Sequence, residues 1–375
     1  MPRLLISSGE PSGEFYAAEL VAELRRRHPD LEAFGLGGDR LAAQNVRLLA
    51  HLKDLAVVGL FEVLSHLRRI KGLFDSVVAE AARVRPDVAV LIDYPDFNLR
   101  LARELKKLGI PVVYYVSPQL WAWRGGRIKQ VKRDVAKMLV IFPFEEKIYR
   151  DAAVPVTFIG HPLAEHVMPP TDRPAAVSSL GLDPARPVIA LLPGSRNKEV
   201  GFNLPPIVGA VKLLREKWPD LQFVLAAAPH LREGTFDEAR AAGMTVIEGA
   251  TRDVLAAARV AIVASGTATV ETALTGTPMV VVYRLSALTY TLGKPLVRVK
   301  NYAMVNLIAG RVVVPELIQN DFTPARVAEE TLRILDEGEP RRRMLEALSE
   351  VRSKLGAGSA TVLAANEVET FFPRA

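Results

Sequence analysis

Short, unbroken apolar runs alternate with amphipathic stretches along almost the whole chain, and no other feature narrows the fold as far. Residues 4–7 form such a run and are followed by a helical pattern over 15–27; residues 87–92 are followed by one over 99–108. Further runs lie at 112–116, 138–142 and 156–159. Continuous apolar runs of this length read as strands covered on both faces, and strands separated by helices read as a parallel sheet. The pattern lapses between 162 and 187, where Pro169-Pro170-Thr171-Asp172-Arg173-Pro174 has the composition of a linker. It then restarts, with strands at 188–192, 223–227, 245–247, 260–264 and 279–283 and helices at 204–216, 253–258 and 270–274. Thr323-Pro324 reads as an N-cap followed by proline at the first helical position, and Gly356 closes the next helix.

Each half opens with a strand, a glycine loop and a helix, at 4–13 and at 189–200. The expectation is an α/β protein of two Rossmann-like domains whose parallel sheets face across a cleft. The N-terminal domain spans 1–168 and the C-terminal domain 169–357, and a last helix within 358–375, expected at 360–372, returns to an N-terminal domain. A length of 375 residues suits two domains.

The chain has no cysteine, which excludes disulfides, thiolate metal sites, iron–sulfur clusters and a cysteine nucleophile. Its six histidines stand at 28, 51, 66, 161, 166 and 230, with no pair one helical turn apart, so no metal is expected. A formal charge of +6 suits nucleic acid, phosphorylated substrates or an anionic membrane face, or else a solvated basic surface. The apolar start of three residues is too short for a signal-peptide core. The most apolar stretch, 260–283, is broken by Gly266, Glu271, Gly276 and Pro278, short of the roughly 18 apolar residues of a span. A cytoplasmic protein with at most peripheral membrane contact is the expectation.

Ligands of open α/β sheets bind beyond the carboxyl ends of the strands, so the loops there hold the candidate site. After the first strand comes Ser7-Ser8-Gly9-Glu10-Pro11-Ser12-Gly13-Glu14, which matches neither the dinucleotide, the P-loop nor the hydrolase-elbow pattern. It is a ligand loop or a glycine turn capped at Ser12. In Ile92-Asp93-Tyr94-Pro95-Asp96-Phe97-Asn98, Asp93 stands where a buried strand ends and suits a general base or a helix cap, and Asp96 and Asn98 suit caps. In Ser117-Pro118-Gln119-Leu120-Trp121-Ala122-Trp123-Arg124, Trp121 and Trp123 could stack on a sugar, line an acyl pocket or fill a packed corner. Gly160-His161-Pro162 reads as a hinge between domains.

In the second half, Leu192-Pro193-Gly194-Ser195-Arg196 offers backbone N–H groups and a forked cation. Ala264-Ser265-Gly266-Thr267 repeats the logic, and Glu271 lies one turn into the following helix, within reach of ribose hydroxyls. Two such loops in one domain argue for a nucleotide diphosphate. Residues 60–78 carry a wide apolar stripe that includes Leu60, Phe61, Leu64, Leu67 and Leu73, flanked by Arg68, Arg69 and Lys71. This is either an interfacial helix on anionic lipid, with Phe61 and Leu73 its least core-like members, or a sheet-covering helix.

These motifs together resemble the lipid-A-disaccharide synthase family of inverting glycosyltransferases. The matching stretches are Gly9-Glu10-Pro11-Ser12-Gly13, Ile92 to Asn98, Tyr115-Val116-Ser117-Pro118 with Trp121 to Arg124, Phe158 to Pro162, Leu191 to Arg196, Ala264 to Ala268 with Glu271, and Asn306-Leu307-Ile308-Ala309-Gly310. The resemblance implies the two-Rossmann GT-B fold. It also implies transfer of sugar from UDP-2,3-diacylglucosamine to 2,3-diacylglucosamine 1-phosphate, giving a β-1,6 disaccharide and UDP at the cytoplasmic face of the inner membrane. Carried over by motif, Asp93 is the base, Arg196 and Asn306 are required positions, and Glu271 is the ribose-binding carboxylate. Gly9, Glu10, Ser12, Gly13, Trp121 and Trp123 fall on the acceptor side. No cofactor and no nucleic acid are implied, and a homodimer is. Glu14 stands where the family has Asp, and Gln119-Leu120 where a small polar residue and Val are usual. The rivals are a UDP-N-acetylglucosamine 2-epimerase, another GT-B transferase with a soluble acceptor, and a nucleotide-binding membrane-surface protein without turnover.

Overall fold

The structure, a computed structural model, describes residues 1–52, 63–121, 125–286, 290, 301–356 and 358–373. The chain divides into one unit of Met1–Pro162 with Gly356–Ala375 and a second of Leu163–Leu355. The segment at 169–174 is not a free linker. Asp172 accepts the Ala175 N–H at 2.9 Å and caps the helix Arg173–Ser179, which packs on the helix Thr251–Ala257.

The first unit is a seven-stranded sheet of β1 (Arg3–Ser8), β2 (Glu32–Gly37), β3 (Arg47–His51), β4 (Val88–Ile92), β5 (Val112–Tyr115), β6 (Lys137–Val140) and β7 (Val156–Phe158). Its order is β3-β2-β1-β4-β5-β6-β7 and every pairing is parallel. All five residues of β4 and all four of β5 are buried, which is why they read as continuous apolar runs. The strands β2 and β3 are absent from the sequence reading for opposite reasons. In β2, Gly35 replaces an apolar residue because a Cβ there would lie 1.7 Å from the Ile6 carbonyl oxygen. The β3 edge strand is only partly buried.

The terminal helix Ala360–Glu369 packs on the helix Pro11–Arg27. Arg27 bonds Glu369 and Asn366 at 2.7 Å each, and the Phe372 ring stands edge-on to His28 at 5.3 Å. The helix Val63–Val84 covers part of the sheet: Ile70, Leu73, Phe74 and Val78 pack against the core, and Phe74 meets Phe97 at 5.5 Å. This corrects the reading of Leu73 as one of the least core-like residues of its stripe. Leu60 and Phe61 lie outside the described residues, as do the side chains of Leu64, Leu67 and Arg68. Among the described residues no helix is long and apolar enough to cross a membrane.

The second unit is a six-stranded parallel sheet of β8 (Val188–Leu192), β9 (Gln222–Ala227), β10 (Thr245–Glu248), β11 (Val260–Ala264), β12 (Met279–Tyr283) and β13 (Glu316–Ile318), in the order β10-β9-β8-β11-β12-β13. In both sheets the strand order reverses at one point, between β1 and β4 and between β8 and β11. The crevice beyond the carboxyl ends of the strands at such a point is where open α/β sheets take ligands. Four of the loops singled out in the sequence follow these strands, and the Trp121 loop follows β5.

Candidate active site

In the first unit the loops after β1 and β4 meet side by side. A Cβ on Gly9 would fall 2.2 Å from the Tyr94 ring, and one on Gly13 would fall 3.2 Å from Ile92 Cγ2. The two glycines therefore let the first loop and its helix close onto the end of β4. The helix begins at Pro11, with Glu10 at its N-cap and no side-chain cap bond, and Ser12 is exposed on its first turn. Ser12 is thus not the cap. Glu14 turns away from this loop and accepts the Arg40 N–H at 2.8 Å, at the start of the helix Asp39–Ala43.

Asp93 and Tyr94 are both left-handed, at φ 47° and 48°. Two adjacent non-glycine residues in that region store strain that neighbouring bonds must hold. The Asp93 N–H donates to the Tyr115 carbonyl at 3.1 Å. Its carbonyl accepts from the Tyr114 hydroxyl at 2.7 Å and from Asn98 Nδ2 at 2.8 Å. Asn98 is wholly buried; it also reaches the Ile92 carbonyl and accepts the Ser7 hydroxyl at 2.8 Å. It is a buried tie between β1 and β4, not a helix cap. Asp96 is exposed and pairs with Arg127.

The Trp121 corner is built from buried polar groups. Trp121 Nε1 donates to Glu145 at 3.0 Å, and its ring stands edge-on to Phe144 at 5.1 Å. Trp121 thus packs into a corner of the first unit. Trp123 lies outside the described residues. Burial pushes the Glu145 carboxyl up to about 8, against hydrogen bonds from Trp121 and the Phe142 N–H. Ser117 and Tyr149 share a hydrogen bond of 2.8 Å nearby. His161 is buried beside Tyr16 and Phe142, and burial holds it down to about 3, so its imidazole is neutral.

In the second unit the loops after β8 and β11 lie on adjacent strands. Gly194 has φ 129°, and a Cβ there would strike the Glu199 side chain at 2.5 Å. Glu199 folds back to accept the Ser195 N–H at 2.9 Å. Arg196 is exposed at the N-cap of the helix Asn197–Lys217. Asn203, fully buried in that helix, donates to the Pro193 carbonyl at 2.9 Å and accepts the Arg284 N–H at 3.0 Å. It does for the β8 loop what Asn98 does for β4. Gly266, at φ 153°, precedes the helix Thr267–Leu274. Glu271 sits in that helix 3.8 Å from Arg252, and burial raises its carboxyl above the ordinary range.

Asn306 is fully buried and all its hydrogen-bonding groups are engaged. Nδ2 donates to the Val314 carbonyl at 3.0 Å and to Glu316 at 2.6 Å, and Oδ1 accepts the Val313 and Val314 N–H groups at 2.7 and 3.0 Å. An amide has two donors and two acceptor sites, so none is left for a substrate. Asn306 stands here as a buried tie between its own helix and the turn before β13. Among the described residues, no three His, Asp or Glu side chains gather as a metal cage would need.

A family model described as lipid-A-disaccharide synthetase matches residues 4–363. A lipid-A-disaccharide synthase from Myxococcus xanthus is 47% identical over 375 residues, covering 99% of this chain and 98% of its own. One from Koribacter versatilis is 48% identical, covering 96% and 94%. Among solved structures, the UDP-GlcNAc 2-epimerase from Neisseria meningitidis bound to UDP-GlcNAc superposes at a TM-score of 0.67 with 12% identity, over 99% of this chain and 100% of that one. The glycotransferase of kitacinnamycin does so at 0.64 with 18% identity, over 99% of each. At these identities the likeness is one of fold, the GT-B arrangement of two parallel-sheet domains.

Proposed function

The chain belongs to the lipid-A-disaccharide synthase family, and we propose that it joins UDP-2,3-diacylglucosamine to 2,3-diacylglucosamine 1-phosphate, releasing UDP and the β-1,6 disaccharide 1-phosphate. The observation that carries the reading is the placement of Asp93. It ends a fully buried strand beside the switch point of the first sheet, and its backbone is held by Tyr115, Tyr114 and Asn98. A carboxylate so fixed can take the proton of the acceptor 6-hydroxyl as that oxygen attacks the anomeric carbon. UDP then leaves as a diphosphate. Arg196 and the N–H groups of Gly266 and Thr267 supply positive charge for it, and Glu271 receives the ribose.

On the same reading Gly9, Glu10, Ser12 and Gly13 face the acceptor, and the family's homodimer extends to this chain. Both substrates carry acyl chains, so the protein works against an anionic inner-membrane surface. The residues at 60–69, with Arg68 and Arg69, serve as the contact. A 2-epimerase has the same fold but needs no lipid acceptor. Incubation of the purified protein with both lipids, followed by mass spectrometry, tests the proposal: a disaccharide 1-phosphate supports it, and donor converted to an epimer overturns it.

A further inference from the structure

The bonds around Asn306 do not stop at that residue. Glu316, the first residue of β13, accepts from Asn306 Nδ2 at 2.6 Å, from the Ala303 N–H at 3.1 Å and from the Tyr302 N–H at 2.8 Å. The Tyr302 carbonyl in turn accepts the Ser265 hydroxyl at 3.1 Å. Ser265 is also tied through its N–H to the Val282 carbonyl at 3.0 Å. One carboxylate on the edge strand therefore gathers three N–H groups and places the carbonyl that holds the β11 loop.

We propose that Glu316 is a positioning residue for nucleotide binding, holding Tyr302 so that its carbonyl anchors Ser265 and so aligns the N–H groups of Gly266 and Thr267 on the diphosphate. The proposal rests on the reading of 265–267 as part of the diphosphate site. It also accounts for Asn306 without a substrate contact: Asn306 closes the 310–314 turn and delivers one of the three bonds that orient the Glu316 carboxylate. The charge matters because three donors converge on two oxygens. A glutamine would turn an N–H₂ group against one of those donors and leave a donor unpaired.

The test uses the whole chain, with UDP as the probe for binding and the diacyl donor and acceptor for turnover. Glu316→Gln should weaken UDP binding about tenfold, the order expected when one hydrogen bond to a charged group is lost. It should raise the donor KM alike and leave the acceptor KM unchanged, a split that general loss of stability would not produce. Ser265→Ala should weaken UDP by a similar factor, and the double variant should be no worse than either single one, because both break one relay. Additive losses, or wild-type UDP affinity in folded Glu316→Gln, would overturn the proposal. If Arg196→Ala weakens UDP and Glu316→Gln does not, the relay fails and the diphosphate site stands. If none of Arg196→Ala, Ser265→Ala and Glu316→Gln alters UDP affinity, the diphosphate reading fails and the relay with it. Hydrogen exchange on the unaltered protein decides the matter should Glu316→Gln not fold. UDP should protect the Tyr302 and Ala303 amides together with those of Gly266 and Thr267, and protection of 266–267 alone overturns the relay.

Discussion

Asn98 holds Asp93 from behind. The Asn98 amide donates to the Asp93 carbonyl at 2.8 Å and to the Ile92 carbonyl at 3.1 Å, while its own oxygen takes the Ser7 hydroxyl. The left-handed turn at Asp93 and Tyr94 thus leans on a side chain four and five residues further on. Asn98→Ala should destabilise the first unit by about 1–3 kcal/mol, the cost of leaving buried polar groups unpaired. Urea unfolding measures it, and unchanged stability would mean that water replaces the amide.

Asp93→Asn keeps the shape of the turn and removes the carboxylate proposed as the base. Turnover should fall by roughly 10²–10⁴-fold, as when a general base is lost, while UDP still binds. Steady-state kinetics beside UDP titration separates the two quantities. Wild-type turnover would remove Asp93 from the chemistry.

On the proposed reading, Arg196 and Glu271 act on different stages of the reaction. Arg196→Ala should lower kcat as well as donor affinity, because charge-assisted bonds of about 1.5–3 kcal/mol strengthen as the diphosphate leaves. Glu271→Gln should mainly weaken nucleotide binding. Activity should persist in EDTA, and strict dependence of the chemical step on Mg²⁺ would contradict the role given to Arg196.

Glu145 links stability to pH. Burial lifts its carboxyl from the model-peptide value of 4.5 to about 8, so between those values the folded chain holds a proton that the unfolded chain has lost. Its contribution to stability is full below 4.5 and is lost as the pH rises through about 8. Glu145→Gln, which cannot ionise, should flatten the fall in Tm across this window. An equal slope in both proteins would show that Glu145 ionises without penalty.

The stripe at 60–78 divides into two parts with different predicted outcomes. Leu73 packs on the core, so Leu73→Ser should lower Tm. Phe61→Ser should leave the fold intact and weaken binding to anionic liposomes by about tenfold or more, since an apolar side chain in lipid contributes roughly 1.5–3 kcal/mol. Added salt should weaken binding further through Arg68 and Arg69. Liposome co-sedimentation of both variants gives the comparison, and unchanged binding by Phe61→Ser would move the contact elsewhere.

The strands β1, β4, β5, β8, β11 and β12 were legible because burial on both faces leaves an unbroken apolar run. The loops that follow β1, β8 and β11 were legible by their glycines, and the loop after β4 by the carboxylate of Asp93 that ends its apolar run. What escaped is long-range hydrogen bonding. Ser7 and Asn98 are 91 residues apart, and Asn203 meets Arg284 across 81. An asparagine early in a helix reads as a cap until the fold brings its partners to it. Asn306 is the converse case: a motif marks it as required, and its four bonds, one of them to Glu316, come from the fold alone.

The most direct test of the central claim is release of UDP from UDP-2,3-diacylglucosamine by the purified protein, with and without 2,3-diacylglucosamine 1-phosphate. UDP should appear only when the acceptor is present, in step with the disaccharide 1-phosphate, and neither should appear at the wild-type rate with Asp93→Asn. UDP released equally without acceptor, or no release with both lipids present, would contradict it.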